Sequence, residues 1–342
     1  MPEIIALLVG GLALVAASVA GLYLWPVDRR GLRVAPARPL DFDTATRAVE
    51  AVIAAEAADP EIRPESRSRL LSHGSRTGRA VLLLHGYTLA PEQYAGLAEE
   101  FFDRGYNVWI PRAPQHGTVD RRAHHRVEAG ELTTYAAQGW AVTAALGDEV
   151  GVVGISGGAV LAAWLAQVPG NVVRHLLLLS PFFGPNPRQA PAYAVKPLIV
   201  LYGRRVLPDR VTSRGYSLAA VTQYLTIART LPHPPRRTGL RTAAVVISPL
   251  DGVVDLRAAV QVPRRIADAN GVPLRVYALP EALGVAHNTL NLGPDGDEWR
   301  RRYVALYEGA AAPAADFAAS CRSRPSRTTW RPNSNELSGP AA

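Results

Sequence analysis

Cysteine and lysine are nearly absent from this 342-residue chain, which contains one of each, Cys321 and Lys196. A single cysteine excludes an intramolecular disulfide, and Cys321 lies in a C-terminal stretch of small and polar residues that is not expected to pack. Metal-site spacing of cysteine and histidine is also absent, because the adjacent His124 and His125 direct their side chains apart. The sequence therefore predicts no disulfide and no bound metal.

Blocks of basic residues are absent too, although the formal net charge is +8. Almost all of this charge comes from arginines that are spread along the chain. A nucleic-acid-binding surface usually combines a basic stripe with aromatic side chains, and we find no such stripe. The spread is typical of a solvated surface, with a weak attraction to anionic lipid as the other interpretation. We expect no nucleic-acid partner, and the oligomeric state stays open.

The N-terminus carries a long apolar run. Residues Ile4 to Val27 form 24 consecutive positions without a charge. At ~1.5 Å per helical residue, this run can cross ~30 Å of hydrocarbon. Tyr23 and Trp25 near its end are typical of a membrane interface. Residues 1–30 are therefore predicted to be a single transmembrane anchor, bound to the membrane through residues 4–27.

A cleavable signal peptide is the competing interpretation, because Ser18-Val19-Ala20 resembles a cleavage site of small residues. The residues before the apolar run carry no lysine or arginine, whereas signal peptides begin with positive charge, and this favours an uncleaved anchor. Basic residues after the run predict that the rest of the chain is cytoplasmic, with export as the alternative. They are Arg29, Arg30, Arg33 and Arg38.

Residues 31–78 are expected to join the anchor to a larger domain. Arg33 to Leu40 is a linker rich in proline and arginine, and Asp43 to Ala57 has apolar residues at helical spacing. Over residues 79–310, short apolar runs then alternate with helical patterns, which predicts an α/β fold with a mainly parallel sheet. The expected strands are Ala80–Leu84, Asn107–Ile110, Val150–Ile155, His175–Leu179, Thr242–Ile247 and Leu274–Ala278. The expected helices are Pro91–Arg104, Leu132–Ala145, Ala159–Gln167, Leu256–Asn270 and Asp297–Tyr307.

One connection is far longer than the others. About sixty residues separate the strand that ends near Leu179 from the strand that begins near Thr242, whereas most connections have about two to six. Two helical patterns lie within it, Tyr193–Leu207 and Ser217–Leu231. An insertion at the carboxyl edge of a sheet would cover the ligand crevice, so we expect a small helical cap at about 185–240. An ordinary connection with a long loop is the alternative. Residues 311–342 are predicted to be a disordered tail.

The last two residues of the predicted strand Val150–Ile155 begin the motif Gly154-Ile155-Ser156-Gly157-Gly158, which fits the pattern G-x-S-x-G. A serine on a sharp turn between a strand and a helix is held above the sheet, and glycines two residues on either side, here Gly154 and Gly158, keep Cβ atoms out of the bend. A plain tight turn would show the same five letters. The strand before the motif and the helix after it favour Ser156 as a nucleophile.

A serine nucleophile needs a base, and the base needs a group that orients it. Asp251 follows the carboxyl end of the strand at Thr242–Ile247, and His287 follows the strand at Leu274–Ala278. The order Ser, Asp, His places all three at one sheet edge, although each alone could be a turn or surface residue. Asp255 is the rival acid, but its position before a helix is typical of a cap.

The oxyanion that forms when a serine attacks a carbonyl is usually held by backbone N–H groups. One candidate is Gly157, directly after the serine. The second is Tyr87, in the loop that follows the strand Ala80–Leu84, where Gly86 allows close approach of the backbone. We interpret His85 in the same loop as a structural residue.

Four motifs in this order resemble the α/β-hydrolases, in particular the carboxylesterase and monoacylglycerol-lipase-like branch. They are LLLHGYT with the following PRAPQHG, then GISGG, SPLDGVVD and GVAHN, over some 230 residues. The sequence departs from the family pattern at Ile155, where histidine is frequent, and at Asn288 after the histidine. The resemblance implies an eight-stranded, mostly parallel sheet with helices on both faces and a lid, without metal or cofactor.

These observations predict a serine esterase that acts through Ser156, His287 and Asp251. A tethered site under an apolar cap would meet lipid esters, so we expect a small ester or lipid substrate of the monoacylglycerol or lysophospholipid type. One alternative is a serine aminopeptidase or amidase of the same fold, although Asp209 is the only acid between Phe182 and Arg241 that could bind a substrate ammonium. A non-catalytic, membrane-anchored interaction module is the other.

Overall fold

The fold is taken from a computed structural model that describes residues 2–27, 30–32, 40–213, 215–293 and 296–310. The predicted tail at 311–342, with Cys321, lies outside the described residues. So do most of the predicted linker and three of the arginines that follow the apolar run. These three are Arg29, Arg33 and Arg38.

The centre of the fold is one sheet of seven strands in the order β1-β3-β2-β4-β5-β6-β7. The strands are β1 (Arg69–Leu71), β2 (Thr77–Leu84), β3 (Tyr106–Ile110), β4 (Gly147–Ile155), β5 (His175–Leu179), β6 (Thr242–Ile247) and β7 (Leu274–Ala278). Only β1 and β3 pair antiparallel, and every other neighbouring pair is parallel. The carboxyl ends of six strands therefore meet at one edge, as the α/β pattern predicts.

The described residues contain one strand fewer than the eight that the resemblance implies. Only β1 precedes the parallel strands, and it has three residues. The segment before it forms a helix, α2 (Phe42–Ala58), because its sequence is rich in alanine and the Asp41 carboxylate caps its first turn by accepting from the Thr44 amide at 2.7 Å. That segment is therefore not available to extend the sheet.

Helices cover both faces of the sheet, and alternate residues of each strand enter different cores. Leu82 and Val152 belong to the core that also contains the helices α4 (Ala129–Leu146), α5 (Gly157–Leu165) and α8 (Leu256–Asn270). Val81 and Val153 belong to the opposite core. That core contains α3 (Leu97–Asp103) and α9 (Gly296–Glu308). This burial on both faces explains why the parallel strands are continuous apolar runs.

The long connection between β5 and β6 contains two helices. They are α6 (Ala192–Leu198), which continues as a π-helical turn to Gly203, and α7 (Leu218–Thr230). The first helix is shorter than the predicted Tyr193–Leu207, since Pro197 inside it lacks an amide hydrogen and disturbs the regular helical bonding. The second lies against α5.

The predicted membrane segment forms α1 (Pro2–Leu24). From Glu3 to Leu24 it is long and apolar enough to cross a bilayer, with a mean hydropathy of 2.4 and none of it buried. A signal sequence near the N-terminus has the same properties, so the helix is either a membrane anchor or a signal sequence.

Candidate active site

Ser156 stands at the turn between β4 and α5, with φ 55° and ψ −115°. Non-glycine residues rarely adopt this conformation, which costs about 1–3 kcal/mol. Two neighbours fix the turn from outside: the Ser156 amide donates to the Leu179 carbonyl at 2.9 Å, and the Phe182 amide donates to the Ser156 carbonyl at 3.2 Å. The hydroxyl is therefore presented above the carboxyl edge of the sheet by a strained but well-braced backbone.

Both glycines that flank the serine by two positions are required by close backbone approach. A Cβ on Gly154 would lie 2.3 Å from the Gly158 carbonyl oxygen, and a Cβ on Gly158 would lie 2.0 Å from the Leu84 carbonyl oxygen. These distances are far inside van der Waals contact. The helix α5 thus starts directly against the end of β2, which explains the spacing of the glycines in the motif.

His287 joins Ser156 to Asp251. The His287 Nε2 atom lies 2.8 Å from Ser156 Oγ, and its Nδ1 atom lies 2.8 Å from Asp251 Oδ2. The Asp251 side chain has no exposed surface, and that of His287 is 20% exposed. The second carboxylate oxygen, Oδ1, accepts from the Val253 and Val254 amides at 2.7 and 3.2 Å. The structure therefore brings together the three side chains that the sequence order pointed to.

The rival acid Asp255 is used elsewhere. Its Oδ1 atom accepts from the Arg257 and Ala258 amides at 2.9 and 3.3 Å and so caps α8. A side chain held at a helix start in this way satisfies amide hydrogens that have no partner within the helix. Of the two neighbouring acids, only Asp251 faces the imidazole.

The loop after β2 lies next to the serine. A Cβ on Gly86 would be 3.6 Å from the Ser156 Cβ, so the backbone at Gly86 passes beside Ser156. In the part of the chain that the structure describes, the amide hydrogens of Tyr87 and Gly157 have no protein acceptor. Two free backbone donors at this place are what an oxyanion requires.

The Tyr87 side chain turns away from this backbone towards the predicted cap. Its hydroxyl oxygen accepts from the Ser217 amide at 3.3 Å, and its ring lies 5.9 Å from that of Tyr224 in an edge-to-face contact. Burial raises the pKa of Tyr87 well above its usual range. The Tyr224 ring also fills the space over Gly157, where a Cβ would come within 2.6 Å of it. Both predicted oxyanion residues are thereby fixed from α7.

His85 braces the same loop. The Ala113 amide donates to its Nε2 atom at 2.9 Å, which leaves the Nδ1 hydrogen to face the Gly86 carbonyl at 3.0 Å. Burial lowers the pKa of His85 to about 4, and burial together with the nearby His85 lowers the pKa of His116 to about 3. These imidazoles are neutral and fully enclosed near pH 7, which agrees with a structural role.

Gln93 is a residue at this site that the sequence analysis missed. Its Oε1 atom accepts from the Gly86 amide at 2.8 Å, and its Nε2 atom donates to Asn288 Oδ1 at 3.3 Å. One side chain therefore ties the loop beside the serine to the loop that carries His287. No sequence motif predicts such a link from a glutamine in a short 3₁₀ turn. The only signal was Asn288, its partner in the second loop, which departs from the family pattern.

This arrangement suits nucleophilic attack on a carbonyl, with a base, an orienting carboxylate and backbone donors already in place. Among the described residues, no group of three or more histidine, cysteine, aspartate or glutamate side chains is placed to hold a metal ion.

The comparisons with known proteins agree on the architecture. A family model for the alpha/beta hydrolase fold matches residues 79–203. A structure from work on two metagenome-derived lipolytic enzymes, LipS and LipT, is 20% identical with a TM-score of 0.54, covering 72% of this chain and 99% of the other. The monoacylglycerol lipase of Paleococcus ferrophilus is 16% identical with a TM-score of 0.54, covering 70% and 98%. A soluble variant of the monoglyceride lipase of Saccharomyces cerevisiae, bound to a substrate analog, is 13% identical with a TM-score of 0.50, covering 69% and 91%. No curated protein sequence matches the chain.

Proposed function

The chain has the α/β-hydrolase fold, and from this fold and the geometry of Ser156, His287 and Asp251 we propose that it is a serine hydrolase that cleaves carboxylic esters. The observation that carries the proposal is the position of the imidazole, 2.8 Å from the hydroxyl on one side and 2.8 Å from the carboxylate on the other. A histidine with only a surface role is not expected to bridge Ser156 and Asp251, which are 95 residues apart in the sequence.

In the proposed reaction, the Asp251 carboxylate accepts the Nδ1 hydrogen of His287, so that Nε2 is free to take the Ser156 proton. The serine oxygen attacks the ester carbonyl, and the amides of Tyr87 and Gly157 stabilise the negative oxygen of the tetrahedral intermediate. His287 then gives the proton to the leaving alcohol. Water, activated by the same imidazole, releases the acid from the acyl-enzyme.

The direct test compares the hydrolysis of p-nitrophenyl butyrate by the full chain and by Ser156→Ala. We expect the variant to lose at least about three powers of ten in kcat, because no nucleophile remains. A fluorophosphonate probe should label the wild-type protein and not the variant. Ser180→Ala is the matched control, since Ser180 follows β5 at the same sheet edge and, like Ser156, has a positive φ, while its side chain is buried. Full activity in Ser156→Ala would refute the proposal.

We further propose that the segment at 185–240 is a cap, that α1 anchors the chain in a membrane, and that the ester is lipid-like. Apolar side chains of this segment support the first point, since Val195, Ile199 and Val200 are buried. The anchor would hold the site at a lipid surface, where acyl esters are concentrated. A panel of p-nitrophenyl esters of increasing chain length, and monoacylglycerols in vesicles, tests this. A strict preference for acetyl esters would contradict it.

An aminopeptidase would need a carboxylate to receive the substrate ammonium. Asp209, the only acid in this segment, has an Oδ1 atom that accepts from the Ala219 amide at 2.8 Å. Because this carboxylate is committed to the start of α7, the geometry favours the ester.

A further inference from the structure

The end of α1 is bound directly to the segment between β5 and β6. The Tyr23 hydroxyl donates to the Tyr193 carbonyl at 2.8 Å, and Arg204 Nη2 donates to the Pro26 carbonyl at 2.7 Å. The Arg204 guanidinium also lies 5.5 Å from the centre of the Trp25 ring, within reach of a cation–π contact. Tyr193 and Arg204 stand at the two ends of α6 and its π-helical turn. Both ends of this helical unit are therefore attached to the last residues of the proposed anchor.

This unit and the residues that follow it up to Val211 expose an unusual amount of apolar surface. Beyond residue 25, seven large apolar side chains of the described chain are exposed, and four of these lie between positions 193 and 211. They are Tyr193, Val206, Leu207 and Val211, with exposed fractions of 72%, 63%, 40% and 49%. Single exposed apolar residues are normal, but a group in one short segment usually marks a contact surface.

The segment that carries these side chains is also rich in positive charge, with little negative charge to balance it. Residues 190–231 contain six basic residues and one acid. Burial and the repulsion of Arg229 and Arg204 lower the pKa of Lys196, so these three cations lie near one another. Among the ion pairs of the described residues, Arg205 reaches Glu128, but none of these three has an acidic partner. A cluster of unpaired cations is a place for anions to bind.

We propose that this surface, formed by Tyr193, Lys196, Arg204, Val206, Leu207, Val211 and Arg229 and here called the docking face, rests on an anionic phospholipid bilayer beside the anchor. A lipid bilayer is the favoured partner because the docking face adjoins the end of the proposed anchor. If α1 spans the bilayer, Tyr23 and Trp25 lie at its interface, and their contacts hold Tyr193 and Arg204 at the same depth. Apolar side chains then enter the headgroup boundary while the cations meet lipid phosphates.

The docking face gives the cap a fixed position relative to the lipid. Because α7 of the same segment packs on α5 and on the backbone beside Ser156, the proposed active site would receive its ester from the leaflet in which the anchor ends. The inference rests on the proposed anchoring but not on ester hydrolysis. Its test can therefore read membrane depth, independently of any catalytic activity.

The test uses the full chain with Cys321→Ser, reconstituted in vesicles of phosphatidylcholine and phosphatidylserine. A bimane label is placed at Val211→Cys, and quenching by lipids carrying a nitroxide at different depths is measured. Val172→Cys is the matched control, because Val172 has an exposed fraction of 48%, close to the 49% of Val211, in the connection between α5 and β5. Val9→Cys in α1 reports the anchor itself. We expect quenching at 211 by shallow nitroxides, quenching at 9 by deep ones, and none at 172.

Charge is tested with the triple variant Lys196→Gln, Arg204→Gln, Arg229→Gln. Each lost cation should weaken surface attachment about fivefold, which is ~1 kcal/mol per charge, so quenching at 211 should fall towards its value in vesicles without phosphatidylserine. Three exposed arginines of α8 form the matched control, changed together as Arg257→Gln, Arg264→Gln, Arg265→Gln, and should have no effect.

The outcomes separate the two proposals. Quenching at 9 without quenching at 211 overturns the docking face and leaves the anchor standing. No quenching at either position overturns the anchor and the docking face together. Equal quenching at 211 and 172, or an equal effect of the two triple variants, overturns the specific surface.

Discussion

The two acids at positions 251 and 255 allow the proposed mechanism to be tested by the same substitution at neighbouring sites. In Asp251→Asn, the Oδ1 acceptor for the Val253 and Val254 amides is retained, so the turn should survive. The amide nitrogen replaces the oxygen that lies 2.8 Å from His287 Nδ1. That nitrogen can only donate, and it forces the imidazole to carry its hydrogen on Nε2.

An imidazole in that tautomer cannot accept the serine proton. We expect kcat for p-nitrophenyl butyrate to fall about 10⁴-fold in Asp251→Asn, the order of loss that this substitution causes in a serine protease triad. At about 1.36 kcal/mol per power of ten, this is about 5.4 kcal/mol of lost transition-state stabilisation. Because the asparagine side chain would still hold the turn, thermal unfolding should change by only a few degrees.

For Asp255 we expect the opposite pattern, an effect on stability and none on the rate. Asparagine caps helices as well as aspartate does, so Asp255→Asn should be neutral in both rate and stability. Asp255→Ala removes the acceptor for two amides of α8 and should cost about 1 kcal/mol, or roughly 2–4 °C in Tm, with kcat unchanged. The assays are steady-state hydrolysis and thermal unfolding on the same samples. A loss of less than tenfold in Asp251→Asn, or a larger loss in Asp255→Asn, would refute the assignment of the acid.

Three further predictions concern the surroundings of the serine. The pKa values of His85 and His116 in the folded state are lowered from 6.5 to about 4 and about 3, so the unfolded chain binds protons first as the pH falls. Stability should therefore be lost from pH 6.5 down to about 4 for His85 and about 3 for His116, by on the order of 2 kcal/mol per histidine at pH 5. Urea unfolding of His116→Gln should show a shallower pH dependence than that of the wild type. Gly158→Ala should cost about 3 kcal/mol or more or prevent folding, since its Cβ would lie 2.0 Å from a backbone oxygen, whereas Gly78→Ala, with nothing within 4 Å, should be neutral in thermal unfolding. Gln93→Met should lower kcat roughly tenfold, because the loop is no longer positioned while the Tyr87 and Gly157 amides remain; a loss of about 10²–10³ is expected when an oxyanion donor itself is removed. The Gly86 amide loses its acceptor, so unfolding should cost about 1 kcal/mol less, or roughly 2–4 °C in Tm. An unchanged kcat would show that Gln93 does not position the loop.

The sequence was most informative where backbone geometry restricts the choice of residue. A fully buried parallel strand must be a continuous apolar run, so β5 and β6 were predicted with their observed bounds. The half-buried β7 was also predicted with its observed bounds. The turn at Ser156 admits only glycine at Gly154 and Gly158, because a Cβ there would meet backbone atoms that no rotamer change can move. The order of Ser156, Asp251 and His287 was readable for a related reason, since residues after parallel strands necessarily meet at one edge.

Features that depend on pairs of distant side chains were not readable in this way. The three residues of β1 are too few to show a period, and they form a strand because β3 offers an unpaired edge. Gln93 links two loops whose partners are 7 and 195 positions away, and nothing in its own neighbourhood encodes either contact. Both depend on where the finished sheet places its loops.

The contact between α1 and the segment after β5 is the feature of this fold that the sequence predicts least. Tyr23 and Tyr193 are 170 positions apart, and Arg204 and Pro26 are 178 apart, yet the atoms that accept these bonds are backbone carbonyls, which every residue possesses. Neither the composition nor the periodicity of the sequence can therefore predict the contact. The sequence contains the exposed apolar residues and unpaired cations beside this contact, but it does not show that they share a surface. Under the proposal made above, the contact with α1 gives them their role, because Tyr23 of the proposed anchor would set the depth at which they meet the lipid.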